Sequence, residues 1–102
     1  MLCAHTVRRL KPGAYDQFRE TFGPPEDAPA GWVRFHMLRN VNDENEVVTF
    51  GFFDGTLDEL NASQGRHDYQ SRVDDIAPLV ESVVSNGIFE IVESRTTEGA
   101  TA

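Results

Sequence analysis

The chain has a single cysteine, a single tryptophan, only nine basic side chains and no long apolar run. Each scarcity excludes something. Cys3 alone permits neither an internal disulfide nor a cysteine metal cage, which suits a reducing compartment. Nine Lys and Arg against seventeen Asp and Glu give a formal charge of −8 and a sequence pI near 4.7. Such a chain repels polyanions, so neither nucleic acid nor an anionic membrane surface is an expected partner. With no apolar run of transmembrane length, and with MLCAHTVRRL lacking the basic-then-apolar order of a signal peptide, a cytoplasmic protein is expected. Glycine-rich phosphate loops and serine or cysteine nucleophile elbows are absent. No two histidines stand four apart as in a helical zinc site, and neither Asp74-Asp75 nor Asp43-Glu44-Asn45-Glu46 has the glycine turn of a calcium loop. No metal is expected.

What is present is ordinary globular material: 102 residues, 39% hydrophobic and 25% charged. That is enough for one domain, expected over 1–95, with 96–102 a flexible polar tail. Residues 2–10 read as a strand ended by Lys11-Pro12-Gly13. Tyr15, Phe18 and Phe22 recur at helical spacing up to Gly23-Pro24-Pro25, and 26–31 is a loop by composition. Trp32–Asn40 reads as a two-faced strand: Val33, Phe35 and Met37 point one way, and Trp32, Arg34, His36 and Leu38 the other. A polar turn over 40–45 leads into Glu46–Phe53, apolar on both faces. Thr56 and Glu59 have the form of a capping box before a brief helix through Leu57 and Leu60. Val73, Ile76, Ala77, Val80, Val83 and Val84 predict helix over 67–85, kinked or restarted at Pro78 and stopped at Asn86-Gly87. Ile88–Ser94 is the expected final strand.

The order strand, helix, strand, strand, helix, strand predicts an α+β, ferredoxin-like βαββαβ fold. Its antiparallel four-stranded sheet carries the helices on one face. Two helices cover one face only, and Trp32 and His36 are expected on the other. Left in water, that face would be a large apolar patch. A second copy is the economical cover, giving a homodimeric α/β barrel. Each large side chain so buried contributes about 1.5–3 kcal/mol.

At this point the residues resemble a family. The Lys11-Pro12-Gly13 opening of the first helix, Ala30-Gly31-Trp32 leading into the second strand, the aromatic strand ending Phe52-Phe53-Asp54, the His67…Tyr69…Arg72 helix and the closing Phe89-Glu90-Ile91 look like the dimeric α/β-barrel superfamily. The chain is most similar to its antibiotic-biosynthesis-monooxygenase-like group. The stress-responsive A/B-barrel group, which often begins with a strand histidine like His5, is the near neighbour. The resemblance spans about residues 2–94. It implies a small homodimer with a hydrophobic pocket between sheet and helices, in which some members oxidise aromatic substrates with oxygen and no added cofactor. Other members degrade haem, using a first-strand asparagine, a tryptophan closing the third strand and a helix histidine. Here the first strand has no asparagine, Phe53 stands where tryptophan would be, and only His67 matches, so haem chemistry ranks last.

The candidate catalytic groups are His67 and His36, because imidazole titrates near neutral pH. The candidate substrate-binding groups are Trp32, Phe53, Tyr69 and Arg72. Tyr69 and Arg72 stand three apart and share a helix face, fit to present a proton donor and an anion clamp. Each also has a plain reading: His67 a solvent-facing histidine, His36 a hydrogen-bonded interface residue, Trp32 a packing anchor, Tyr69 and Arg72 surface groups. Two functions follow, a cofactor-independent monooxygenase acting on a flat apolar molecule, or a non-enzymatic dimeric barrel that binds a small ligand or partner. A pocket of several hundred Å³ favours the first.

Overall fold

The computed structural model describes residues 1–22, 30–66 and 69–95. β1 (Leu2–Leu10), α1 (Tyr15–Thr21), β2 (Trp32–Asn40) and β3 (Asp43–Phe53) come first. They are followed by α2 (Leu57–Arg66), α3 (Tyr69–Ile76), a 3-10 turn (Ala77–Leu79) and β4 (Val80–Glu90). The strands form one antiparallel sheet in the order β2-β3-β1-β4, as the ferredoxin-like reading requires.

Strand alternation sorts the side chains. On β3, Val47, Thr49, Gly51 and Phe53 are buried beneath the helices, whereas Val48, Phe50 and Phe52 point to the opposite, open face. Cross-strand pairing carries the same sorting to β1: Arg8 opposes Val47, and His5 opposes Phe50. α1 lays Ala14, Phe18 and Phe22 onto Leu10, Val47 and Ile76, and this is the main core. Gly13, at φ +77°, makes the turn into that helix.

Three expectations are corrected. The helix expected over 67–85 ends at Ile76, because Pro78 cannot continue it; Val80 is already extended, at φ −99° and ψ 123°. Val80, Val83 and Val84 belong to β4, which pairs along the whole of β1, and Asn86-Gly87 lies within that strand. The register skips Val84 and Glu81, and these two irregularities convert strand alternation into a spacing that resembles helical periodicity. The final strand therefore ends at Glu90, short of Ser94. Secondly, the polar stretch 40–45 is mostly strand: only Val41 and Asn42 turn, with Asn40 paired to Asp43. Asn40 Oδ1 accepts from Asn42 N at 2.8 Å and Asp43 Oδ1 from Asn45 N at 3.0 Å, so these side chains support the hairpin. Thirdly, β2 carries an irregularity at Val33, which has no partner on β3. Trp32 therefore shares the helix side with Phe53, and not the open face, while Val33 stands 61% exposed.

The capping box is formed: Thr56 N donates to Glu59 Oε1 at 3.0 Å, and Glu59 N to Thr56 Oγ1 at 3.2 Å. The predicted stop at 23–25, most of the 26–31 loop and the 96–102 tail lie outside the described residues.

Candidate active site

On the helix side, the end of the sheet near α2 is built around Trp32. Its indole Nε1 donates to Ser63 Oγ on α2 at 3.1 Å, and its ring meets Phe53 edge-on at 5.1 Å between centroids. Gly51 makes this possible: a methyl there would lie 2.9 Å from Trp32 Cζ3, so glycine lets the indole approach the strand this closely. Phe53 is 2% exposed. Its ring fills the space beside Gly31 and Gly55, and Asp54 N donates to Gly31 O at 2.8 Å to hold the approach.

Further along the same side lies a cation that the sequence reading did not single out. Arg8 is 4% exposed and donates to Thr49 Oγ1 at 2.9 Å. Its guanidinium lies 4.7 Å from the Phe22 ring centroid and 5.9 Å from that of Phe18. Arg72 reaches Phe22 as well, at 5.0 Å, and donates to its carbonyl at 3.4 Å. Two arginines thus attend one ring at the C-terminal end of α1. A signal for Arg8 existed: it shares strand parity with Leu10, which is buried.

His36 is on the other face. It stacks on Phe50 at 4.9 Å and meets Phe52 edge-on at 6.0 Å, while His5 lies 6.4 Å from Phe50 and 5.8 Å from Phe89. These rings run from β4 through β1 and β3 to β2. His5 Nδ1 is buried without a hydrogen-bond partner. The sheet itself therefore separates His36 from Trp32 and Phe53, and the residues singled out in the sequence do not form one constellation within a chain. His67 lies outside the described residues, and of Tyr69 only the backbone, opening α3, is described.

A cleft of about 640 Å³ opens at the β2–β3 hairpin, lined among others by Tyr15, Met37, Arg39 and Asp43. Arg39 lies 4.7 Å over the Tyr15 ring. Arg9 donates to Asp43 Oδ2 at 2.8 Å, and this hydrogen bond holds the Asp43 carboxyl below the usual carboxylate range. No group of three or more potential metal ligands occurs among the described residues, and no helix there is long and apolar enough to cross a membrane.

No family model matches the sequence, and no curated protein matches it. Solved structures do match. A provisionally named antibiotic biosynthesis monooxygenase from Chloroflexus aurantiacus is 14% identical with a TM-score of 0.76, covering 93% of this chain and 96% of its own. One from Nitrosomonas europaea is 17% identical with a TM-score of 0.76, covering 91% of this chain and all of its own. SnoaB, a cofactor-independent oxygenase from Streptomyces nogalater, is 18% identical with a TM-score of 0.68 over 97% of both chains. The fold is that of the antibiotic-biosynthesis-monooxygenase-like proteins.

Proposed function

We propose that the protein is a small homodimeric, monooxygenase-like enzyme of the cytoplasm that oxidises an aromatic or otherwise flat apolar molecule without an added cofactor. The observation that carries this reading is the Trp32 indole, packed against Gly51 and hydrogen-bonded to Ser63 on the helix side of a fold shared with a cofactor-independent oxygenase. Trp32 and Phe53 would wall the substrate, and Arg72 with Tyr69 would meet an anionic oxygen. His67, just ahead of α3, would take the proton. The substrate itself supplies the electrons. A ring CH2 loses a proton, the resulting carbanion reduces oxygen, and the carbon becomes C=O while the second oxygen atom leaves as water. The protein's part is orientation and exclusion of water.

Dimerisation accounts for the open face. Four strands about 4.8 Å apart, each about nine residues of 3.3 Å, present roughly 600 Å², near the ~800 Å² per partner of a standard interface. Its centre is apolar and ringed, and its rim carries both signs, with Arg34 on β2 and the Arg9–Asp43–Glu81 group where β1, β3 and β4 meet. A self-complementary partner needs both.

Oxygen uptake with anthrone-like and quinol substrates tests the enzymatic reading. Uptake above buffer that falls in Trp32→Ala supports it; none above buffer overturns it. One observation favours the second reading, a barrel that binds without turnover. The Trp32 N–H is already satisfied and Phe53 is packed among glycines, so this wall is closely filled. That reading gives quenching of tryptophan fluorescence by a flat ligand with no oxygen consumed.

A further inference from the structure

We propose that closure of two copies through the open face is controlled by protons, with His5 and His36 as the sensing groups; this rests on the dimeric reading above. The two imidazoles are part of the interface's apolar centre. His5 lies between Phe50 and Phe89, opposite Phe50 on β3 and Gly87 on β4. Gly87 leaves room for the Phe89 ring, which would be 3.3 Å from a methyl placed there. His36 lies on Phe50 and Phe52.

Charged and titratable neighbours on this face come from every strand. β1 contributes Cys3 and Arg9, β2 contributes Arg34, β3 contributes Glu46 with Asp43 at its start, and β4 contributes Glu81. The carboxylates gather around Arg9: Asp43 at 2.8 Å, Glu81 at 3.7 Å, and Glu46 opposite it in register. The imidazoles are flanked instead by phenylalanines, and the nearest charge in strand order to His36 is the cationic Arg34, two residues away on the same face. An imidazolium on this face thus gains no described carboxylate and meets a like charge. Covering the face with a second sheet removes the water that solvates it. The closed pair therefore binds fewer protons than two separate chains, and acidification favours separation.

The test is the dimer dissociation constant, measured by sedimentation equilibrium of the full chain at pH 7.5 and 5.5, with far-UV circular dichroism at both. Each proton released on closure raises Kd by up to tenfold per pH unit of acidification, so Kd rises tenfold or more between those pH values. All four imidazoles give a steeper rise. His5→Gln and His36→Gln should each flatten the dependence, and the double variant should abolish it. Either single variant suffices if the other fails to fold. A wild-type dimer whose Kd changes less than threefold overturns the proton control while leaving the dimer standing, as does a double variant that keeps the wild-type dependence. A chain that is monomeric at both pH values removes the dimer and the switch together. Loss of the circular dichroism at pH 5.5 also overturns the proposal, by making the change one of folding.

Discussion

Replacing Gly51 by alanine probes the seat of the candidate active site with one methyl group. That methyl would lie 2.9 Å from Trp32 Cζ3, 3.2 Å from Cε3 and 3.6 Å from the Arg34 carbonyl. The indole has nowhere to retreat without loss, being held at Ser63 Oγ on one side and against Phe53 on the other. Overpacking of this kind costs about 1–3 kcal/mol, and a lost or stretched indole hydrogen bond adds about 0.5–1.5 kcal/mol. Alanine's lower unfolded-state entropy offsets about 0.5–1 kcal/mol. A net loss of about 1–3 kcal/mol is expected, which lowers Tm by roughly 4–8 °C per kcal/mol in a chain of this length. Urea unfolding followed by fluorescence reads it directly, because Trp32 is the sole tryptophan; protein concentration must be fixed, since association shifts apparent stability. Repeating Gly51→Ala in a Trp32→Ala background, followed by circular dichroism, isolates the contact. There the cost should vanish. An equal cost in both backgrounds refutes the argument.

Three more outcomes follow from the geometry. Thr49→Val removes one acceptor of the buried Arg8 guanidinium and should cost about 0.5–1.5 kcal/mol in urea unfolding; a change below about 0.3 kcal/mol contradicts it. Thr56→Ala breaks the capping box and should cost about 0.5–2 kcal/mol. Because the Thr56 backbone N–H and then the Thr56 side chain hold the Glu59 carboxyl below its usual range, the box's contribution is present above the ordinary carboxylate pKa and lost as pH falls through the depressed folded value. The stability difference between Thr56→Ala and wild type should accordingly shrink in acid; a constant difference would argue against the box. Cys3 faces the open side opposite Phe52 and Phe89, and burial pushes its thiol up from the ordinary range. Its reaction with a thiol reagent at pH 8 should be at least about tenfold slower in the dimer than in the urea-unfolded chain, and an equal rate would place it outside any interface.

Where the chain obeys simple periodicity, the fold could be read directly. Leu2–Leu10, the Phe18/Phe22 face of α1 and Trp32–Asn40 appeared where their patterns put them, and the Thr56/Glu59 box closed as written. Two of the misreadings, that of β4 and that of Trp32, share one cause. Skipped residues, Val33 in β2 and Glu81 and Val84 in β4, shift register without any local signature, because pairing with the neighbouring strand stabilises them. The first turned Trp32 toward the helices, and the other two gave a strand the spacing of a helix. The same shift explains why Trp32 and His36, expected on one face, serve opposite sides of the sheet. Arg8 was overlooked because a basic residue in a strand reads as solvent-facing, although its parity with Leu10 placed it inward.

If the open face closes on a second copy, the mass of the protein in solution shows it. At tens of micromolar and pH 7.5, the protein should sediment at twice the 11.4 kDa chain mass, with Phe50→Arg reduced to a folded species of one chain. A well-folded wild type sedimenting at 11.4 kDa, or an undiminished dimer in Phe50→Arg, would contradict it.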